Sequence, residues 1–153
     1  MNGWRERLER VSELQFEALS AAEMTDWNGR GEGQVKVRQF GRQLIFEESG
    51  RWHPREGAGI GFTNCYRWSF STRSIALEHL RFGPDRPVYL FDLIPDPATG
   101  DGQRLISERP HPCGEDRYEA WLSAEPEELQ LGWTIVGPRK RTEILYRYRF
   151  ELN

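Results

Sequence analysis

A chain of 153 residues suits one domain, large enough to bury roughly two-thirds of the surface its unfolded form exposes. Hydrophobic residues make up 37% and charged residues 29%, which borders on the composition of disorder, but six Trp and eight Phe supply a core. With 21 basic and 24 acidic side chains the net charge is -3, which argues against a nucleic-acid footprint over the whole surface.

There is no apolar run of roughly 18 residues, and the opening MNGWRERLER is too charged for a signal-peptide apolar region. A cytoplasmic protein is expected, without a membrane partner. Cys65 and Cys113 are too few for a disulfide framework and are read as free thiols.

Between Trp4 and Ala22, the apolar residues Trp4, Leu8, Val11, Ala18, Leu19 and Ala22 share one stripe at helical spacing, with Arg5, Arg7, Glu9 and Glu13 opposite. This predicts an amphipathic helix over 1–24, packed on a β-barrel formed by 25–153. Phe16 falls off the stripe. Gly29, Gly31 and Gly33 then alternate, permitting a bend or close backbone approach.

From Gln34 the apolar period becomes two, and runs rich in β-formers are separated by turn residues. Strands are expected at 35–40, 44–48, 59–71, 75–82, 88–94, 103–108, 117–123, 128–136 and 141–152, with a short stretch near Arg51. About nine antiparallel strands have two edges to hide, and closure into an up-and-down barrel hides them. A sandwich is the alternative, but sequential hairpins dominate and no long crossover is evident.

Alternate residues of a barrel strand face inward, so the more apolar parity predicts the lining. Ile144, Tyr146, Tyr148 and Phe150 share one parity against Glu143, Arg147, Arg149 and Glu151. The same rule selects Tyr66, Trp68 and Phe70; Tyr118, Ala120 and Leu122; and Leu129, Leu131, Trp133 and Ile135. Over 75–80 either parity is apolar, so the lumen receives His79 or Glu78. A titratable group among tyrosine hydroxyls can hold a polar ligand head or serve in acid-base chemistry. If it is His79, burial should disfavour its charged form; if Glu78, its carboxyl pKa should rise.

The stretch His111-Pro112-Cys113-Gly114-Glu115-Asp116-Arg117-Tyr118 gathers metal-ligand types, but its spacing fits no zinc pattern and suits an ordinary turn; no metal is expected. The turn Gly137-Pro138-Arg139-Lys140-Arg141 is basic enough to clamp a carboxylate or phosphate, yet lacks the spacing of a phosphate-binding glycine loop.

Trp27-Asn28-Gly29-Arg30-Gly31, Tyr66-Arg67-Trp68, His111-x-Cys113-x-x-Asp116-x-Tyr118 and Trp133-x-Ile135-x-Gly137-Pro138-Arg139-Lys140 together resemble an uncharacterised domain family of bacteria and fungi, over most of 27–148. The resemblance implies a lipocalin-like, calycin-type barrel and no assigned activity. Residues 77–82 depart from that family's pattern, which has an Asp-Gly-Arg turn leading to Phe and His. Trp27-x-Gly29-x-Gly31 is loosely similar to the opening of haem-binding nitrobindin-like barrels and to the Gly-x-Trp start of lipocalins, with Thr25 at the lipocalin glycine position. Nitrobindin-like proteins take a proximal histidine near the C-terminus, and this chain has none after His111, so haem is disfavoured and no cofactor is expected.

The leading expectation is therefore a carrier or sensor of one small amphipathic or aromatic molecule, held by Tyr66, Trp68, His79, Tyr118, Trp133, Tyr146 and Tyr148. A cofactor-independent enzyme of lyase or isomerase type, using tyrosine with His79 or Glu78, is the second. An interaction module with a packed barrel, recognising its partner through the N-terminal helix or the 137–141 turn, is the third; a homodimer is left open.

Overall fold

A computed structural model describes residues 1–21, 28–55 and 57–151. Helix α1 (Asn2–Glu9) is followed by eleven strands: β1 (Val11–Ala21), β2 (Gly29–Phe40), β3 (Gln43–Pro54), β4 (Ile60–Phe70), β5 (Ile75–His79), β6 (Val88–Pro95), β7 (Arg104–Ser107), β8 (His111–Cys113), β9 (Asp116–Ala124), β10 (Glu128–Gly137) and β11 (Lys140–Phe150). All pair antiparallel, in the order β10-β11-β1-β2-β3-β4-β5-β6-β7-β9, and β9 pairs back to β10. Ten strands thus close a barrel, with β8 outside it on β9. Closure leaves no sandwich, and the count exceeds the expected nine through β1 and β8.

The long N-terminal helix is corrected. Only residues 2–9 are helical, and 11–21 form a stave paired to β11 on one side and to β2 on the other. Leu14 and Ala18 are buried while Leu19, placed on the helical stripe, is 65% exposed. The register slips between Val11 and Glu13, bringing Val11 inward as well. Without this stave, β11 and β2 would both carry open edges, so barrel closure outweighs local helical spacing. Ala22, Thr25, Trp27 and the expected boundary at 24/25 lie outside the described residues, as does Leu152 at the expected end of the last strand.

Helix α1 presents Trp4 and Leu8, four residues apart and both buried, to one end of the barrel. The Trp4 indole N–H donates to the Gly102 carbonyl at 3.2 Å. Arg5 lies over the Phe70 ring at 5.7 Å and Arg10 over Phe150 at 4.8 Å, so the helix lies against the ends of β4 and β11. Beneath it sits an apolar layer of Leu44, Trp68, Ile75, Leu77, Leu93, Leu105, Leu122 and Leu129. Away from the helix, the lining turns aromatic and polar.

The sheet curls where β2 and β3 lack side chains. Gly33 and Gly50 are register partners, and a Cβ on either would collide with backbone carbonyls, Ser49 O for Gly33 and Glu32 O for Gly50. The glycine run expected to allow close approach does so here. Among the described residues, no helix is long and apolar enough to cross a membrane.

Candidate functional site

Sheet parity settles the β5 ambiguity. Glu78 faces outward and pairs with Arg67 at 2.8 Å, holding that guanidinium protonated, while His79 faces inward opposite Tyr66. The two rings stack with centroids 4.8 Å apart. Burial and the charge of Arg81 push the His79 pKa down, as expected for a lumen histidine.

Strand β3 supplies a group that the sequence reading missed. Leu44, Phe46 and Glu48 alternate inward, leaving Glu48 2% exposed inside the barrel. Its register partner is Asn64, one inward position from the Phe46 and Tyr66 pair. Across the lumen, past β1 and β2, the Tyr148 hydroxyl of β11 donates to Glu48 Oε2 at 2.5 Å. Glu48 Oε1 accepts no hydrogen bond of good geometry, although Asn64 lies near enough to favour the charged carboxylate. Burial outweighs both neighbours and raises the Glu48 pKa from 4.5 to about 7. The parity of 44, 46 and 48 was the available signal: two inward apolar residues commit the third, whatever its charge.

The other inward aromatics pack against one another. Tyr146 lies 5.8 Å from Tyr148, Phe46 lies 5.5 Å from Tyr148 and 5.4 Å from Trp68, and Trp133 lies 6.4 Å from Tyr66 and 5.5 Å from Phe91. Burial first, and then the neighbouring carboxyl, raises the phenol pKa values of Tyr146 and Tyr148; Tyr66 is raised chiefly by burial. All three stay protonated donors at neutral pH. The rings thus fall into two linked sets on the inward parity, Trp68, Phe46, Tyr148 and Tyr146 in one and His79, Tyr66, Trp133 and Phe91 in the other. Tyr118 shares the inward parity, half-buried beside the edge of His111 at 6.2 Å. Trp68 stands in the apolar layer, its indole N–H buried and without an acceptor among the described residues.

The wall is thinnest away from the helix. Strand β4 continues through residues 60–64 after β5 has ended, and β6 before Leu93 pairs only with β5. A cleft of about 750 Å³ lies there, lined in part by Lys36, Glu47, Glu48, Asn64, His79 and Arg81. A second, of about 330 Å³, lies between β6 and β8 and is lined in part by Tyr89, Leu90, Phe91 and His111.

The two remaining motifs meet one another instead of a ligand. Asp116 pairs with Lys140 at 3.0 Å, and its carboxyl fills the space a Cβ on Gly137 would need. Lys140 is thus occupied, and Arg141 pairs with Glu143 at 3.3 Å. Gly114 takes a left-handed φ of 62° in the turn between β8 and β9, where glycine is favoured. Cys65 and Cys113 are both free.

The model of a family of unknown function, DUF6314, matches residues 12–150, which spans the barrel. No curated protein matches the chain.

Proposed function

Since the chain belongs to DUF6314, its chemistry has to be read from the lumen itself, and we propose that the lipocalin-like barrel binds one small amphipathic or aromatic molecule there, as a cytoplasmic carrier or sensor. The observation that carries this is Glu48: a carboxyl deep in an aromatic barrel, with one oxygen held by Tyr148 and the other beside Asn64 without a hydrogen bond of good geometry. A buried acceptor without a donor is costly, and a ligand that completes it recovers that cost. Trp68 adds an open donor in the apolar layer, so a ligand with an apolar body and polar ends fits the lining.

The test is a metabolite screen read by tryptophan fluorescence and thermal shift on the intact protein. A hit that raises the melting temperature, with the effect lost in Trp133→Ala, supports the reading. A screen without hits, together with a lumen that excludes xenon or small aromatics in a pressurised or soaked crystal, overturns it.

Acid-base catalysis is the second reading, and the Glu48 pKa near 7 favours it. The role assigned from sequence to His79 or Glu78 then passes to Glu48, with a tyrosine polarising the substrate. Turnover of a screening hit, abolished in Glu48→Gln, distinguishes enzyme from carrier. The interaction-module reading would use the outward face of α1 or the 137–141 turn, because Trp4 and Leu8 of α1 are buried against the barrel.

A further inference from the structure

Among the described residues no lysine or arginine is paired with Glu48, although Lys36 and Arg81 line the cleft that it also borders. The inward groups are Asn64 and Tyr66 from β4, His79 from β5, Tyr118 from β9, and Tyr146 and Tyr148 from β11. Of the other nearby cations, Arg51 donates to the Gly59 carbonyl, Arg38 pairs with Glu47 on the outer face at 2.9 Å, and Arg67 pairs with Glu78.

Aromatic faces carry the negative part of a quadrupole, so a cage of them attracts cations and offers little to anions. A buried carboxylate adds a full negative charge to the same volume. The two effects share a sign, and they select for the same ligand charge. We infer that the molecule bound here is an organic cation, a protonated amine carried on an aromatic or aliphatic body, with its N–H donating to Glu48 Oε1 and its body in the cleft bordered by Asn64 and His79.

This inference rests on the lumen-binding reading and narrows it to one charge class. The ammonium supplies a well-aligned donor to Oε1, which Asn64 approaches without good geometry, and the ion pair forms only with ionised Glu48. Since that carboxyl titrates near 7, affinity for an amine that is itself charged throughout should rise with pH between 5.5 and 8. By the same value the ionised fraction changes about 30-fold over that range, which sets the ceiling of the effect.

The experiment is isothermal titration of the intact protein with three probes of one shape: 1-naphthylmethylamine, neutral 1-naphthylmethanol and anionic 1-naphthoate. The expected result is binding of the amine at least about 10-fold tighter than the alcohol at pH 8, weakening toward pH 5.5, with selectivity and pH dependence both lost in Glu48→Gln. Tyr148→Phe keeps the carboxylate, so it should retain amine selectivity; it serves as the control if Glu48→Gln fails to fold by near-ultraviolet circular dichroism. Alcohol or naphthoate binding as tightly as the amine, or amine affinity flat with pH, overturns the cation assignment and leaves lumen binding standing. No heat from any probe overturns the cation assignment too, and the separate metabolite screen then decides the fate of the lumen reading.

Discussion

Glu48 makes the barrel's stability depend on pH in a direction opposite to most carboxylates. Its folded pKa of about 7 exceeds the ordinary 4.5, so between those values the folded chain holds more protons than the unfolded one. Stability therefore falls as pH rises through that window, and the full cost, on the order of 3 kcal/mol, is present above it. Glu48→Gln removes the charge at nearly constant shape. Urea unfolding should show the variant more stable than the parent at pH 8 by up to about 3 kcal/mol, with the gap closing near pH 5; a gap independent of pH would contradict the burial argument. His79 runs the other way. Its pKa is lowered by burial and by Arg81, so folded His79 resists protonation and stability is lost as pH falls below its ordinary 6.5. His79→Phe keeps a ring against Tyr66 and should reduce the drop in melting temperature between pH 7 and pH 5 relative to the parent. An unchanged or steeper drop would place the acid sensitivity elsewhere.

At the scale of elements, most staves were legible because one face of each is buried and the period of two is strong, as in Ile144, Tyr146, Tyr148 and Phe150. Strand β1 was not. Its inward residues Leu14, Phe16 and Ala18 alternate, but the bulge after Val11 shifts phase, and Trp4 and Leu8 of the real helix extend an apparent 3.6-residue stripe into it. Two apolar residues off that stripe, Leu14 and Phe16, were the sign that the period had changed. Of the site, the aromatic lining was readable from parity; Leu44 and Phe46 gave the same signal for Glu48, but its charge argues for solvent and only closure of the barrel overrules that. The curl at Gly33 and Gly50 makes a separate demand: Gly50→Ala sets a methyl against the Glu32 carbonyl, which is backbone and cannot rotate away. Denaturant melts should show a loss of about 2–3 kcal/mol, and a neutral outcome would mean that β2 and β3 are more loosely apposed than the register requires.

For the molecule as a whole, the thiols report on the environment of the folded chain. Cys113 is exposed, whereas Cys65 is half-buried and its thiol is pushed up by burial and then by Glu47 and Glu48. Ellman's reagent should therefore titrate Cys113 rapidly and Cys65 slowly under native conditions, and both at once in denaturant without reductant. Fewer than two reactive thiols in denaturant would reveal a cross-link and count against a reducing compartment.

The ring is closed by β1 and β11, whose ten register pairs run from Val11 with Phe150 to Ala21 with Arg141. Every other junction except the one between β7 and β9 joins strands consecutive in the chain. Hairpins from β2 to β6 find their partners as soon as each is synthesised, while the stave made from residues 11–21 has to wait beside β2 with its other edge bare until the last strand arrives. The chain thus spends its synthesis as an open, curling sheet with an adhesive margin, and the encounter that seals it is also the one that carries Tyr148 to Glu48. Assembly of the site and completion of the fold are one event, so a ribosome-stalled chain ending before β11 would hold the acid but neither its phenol nor a closed wall around it.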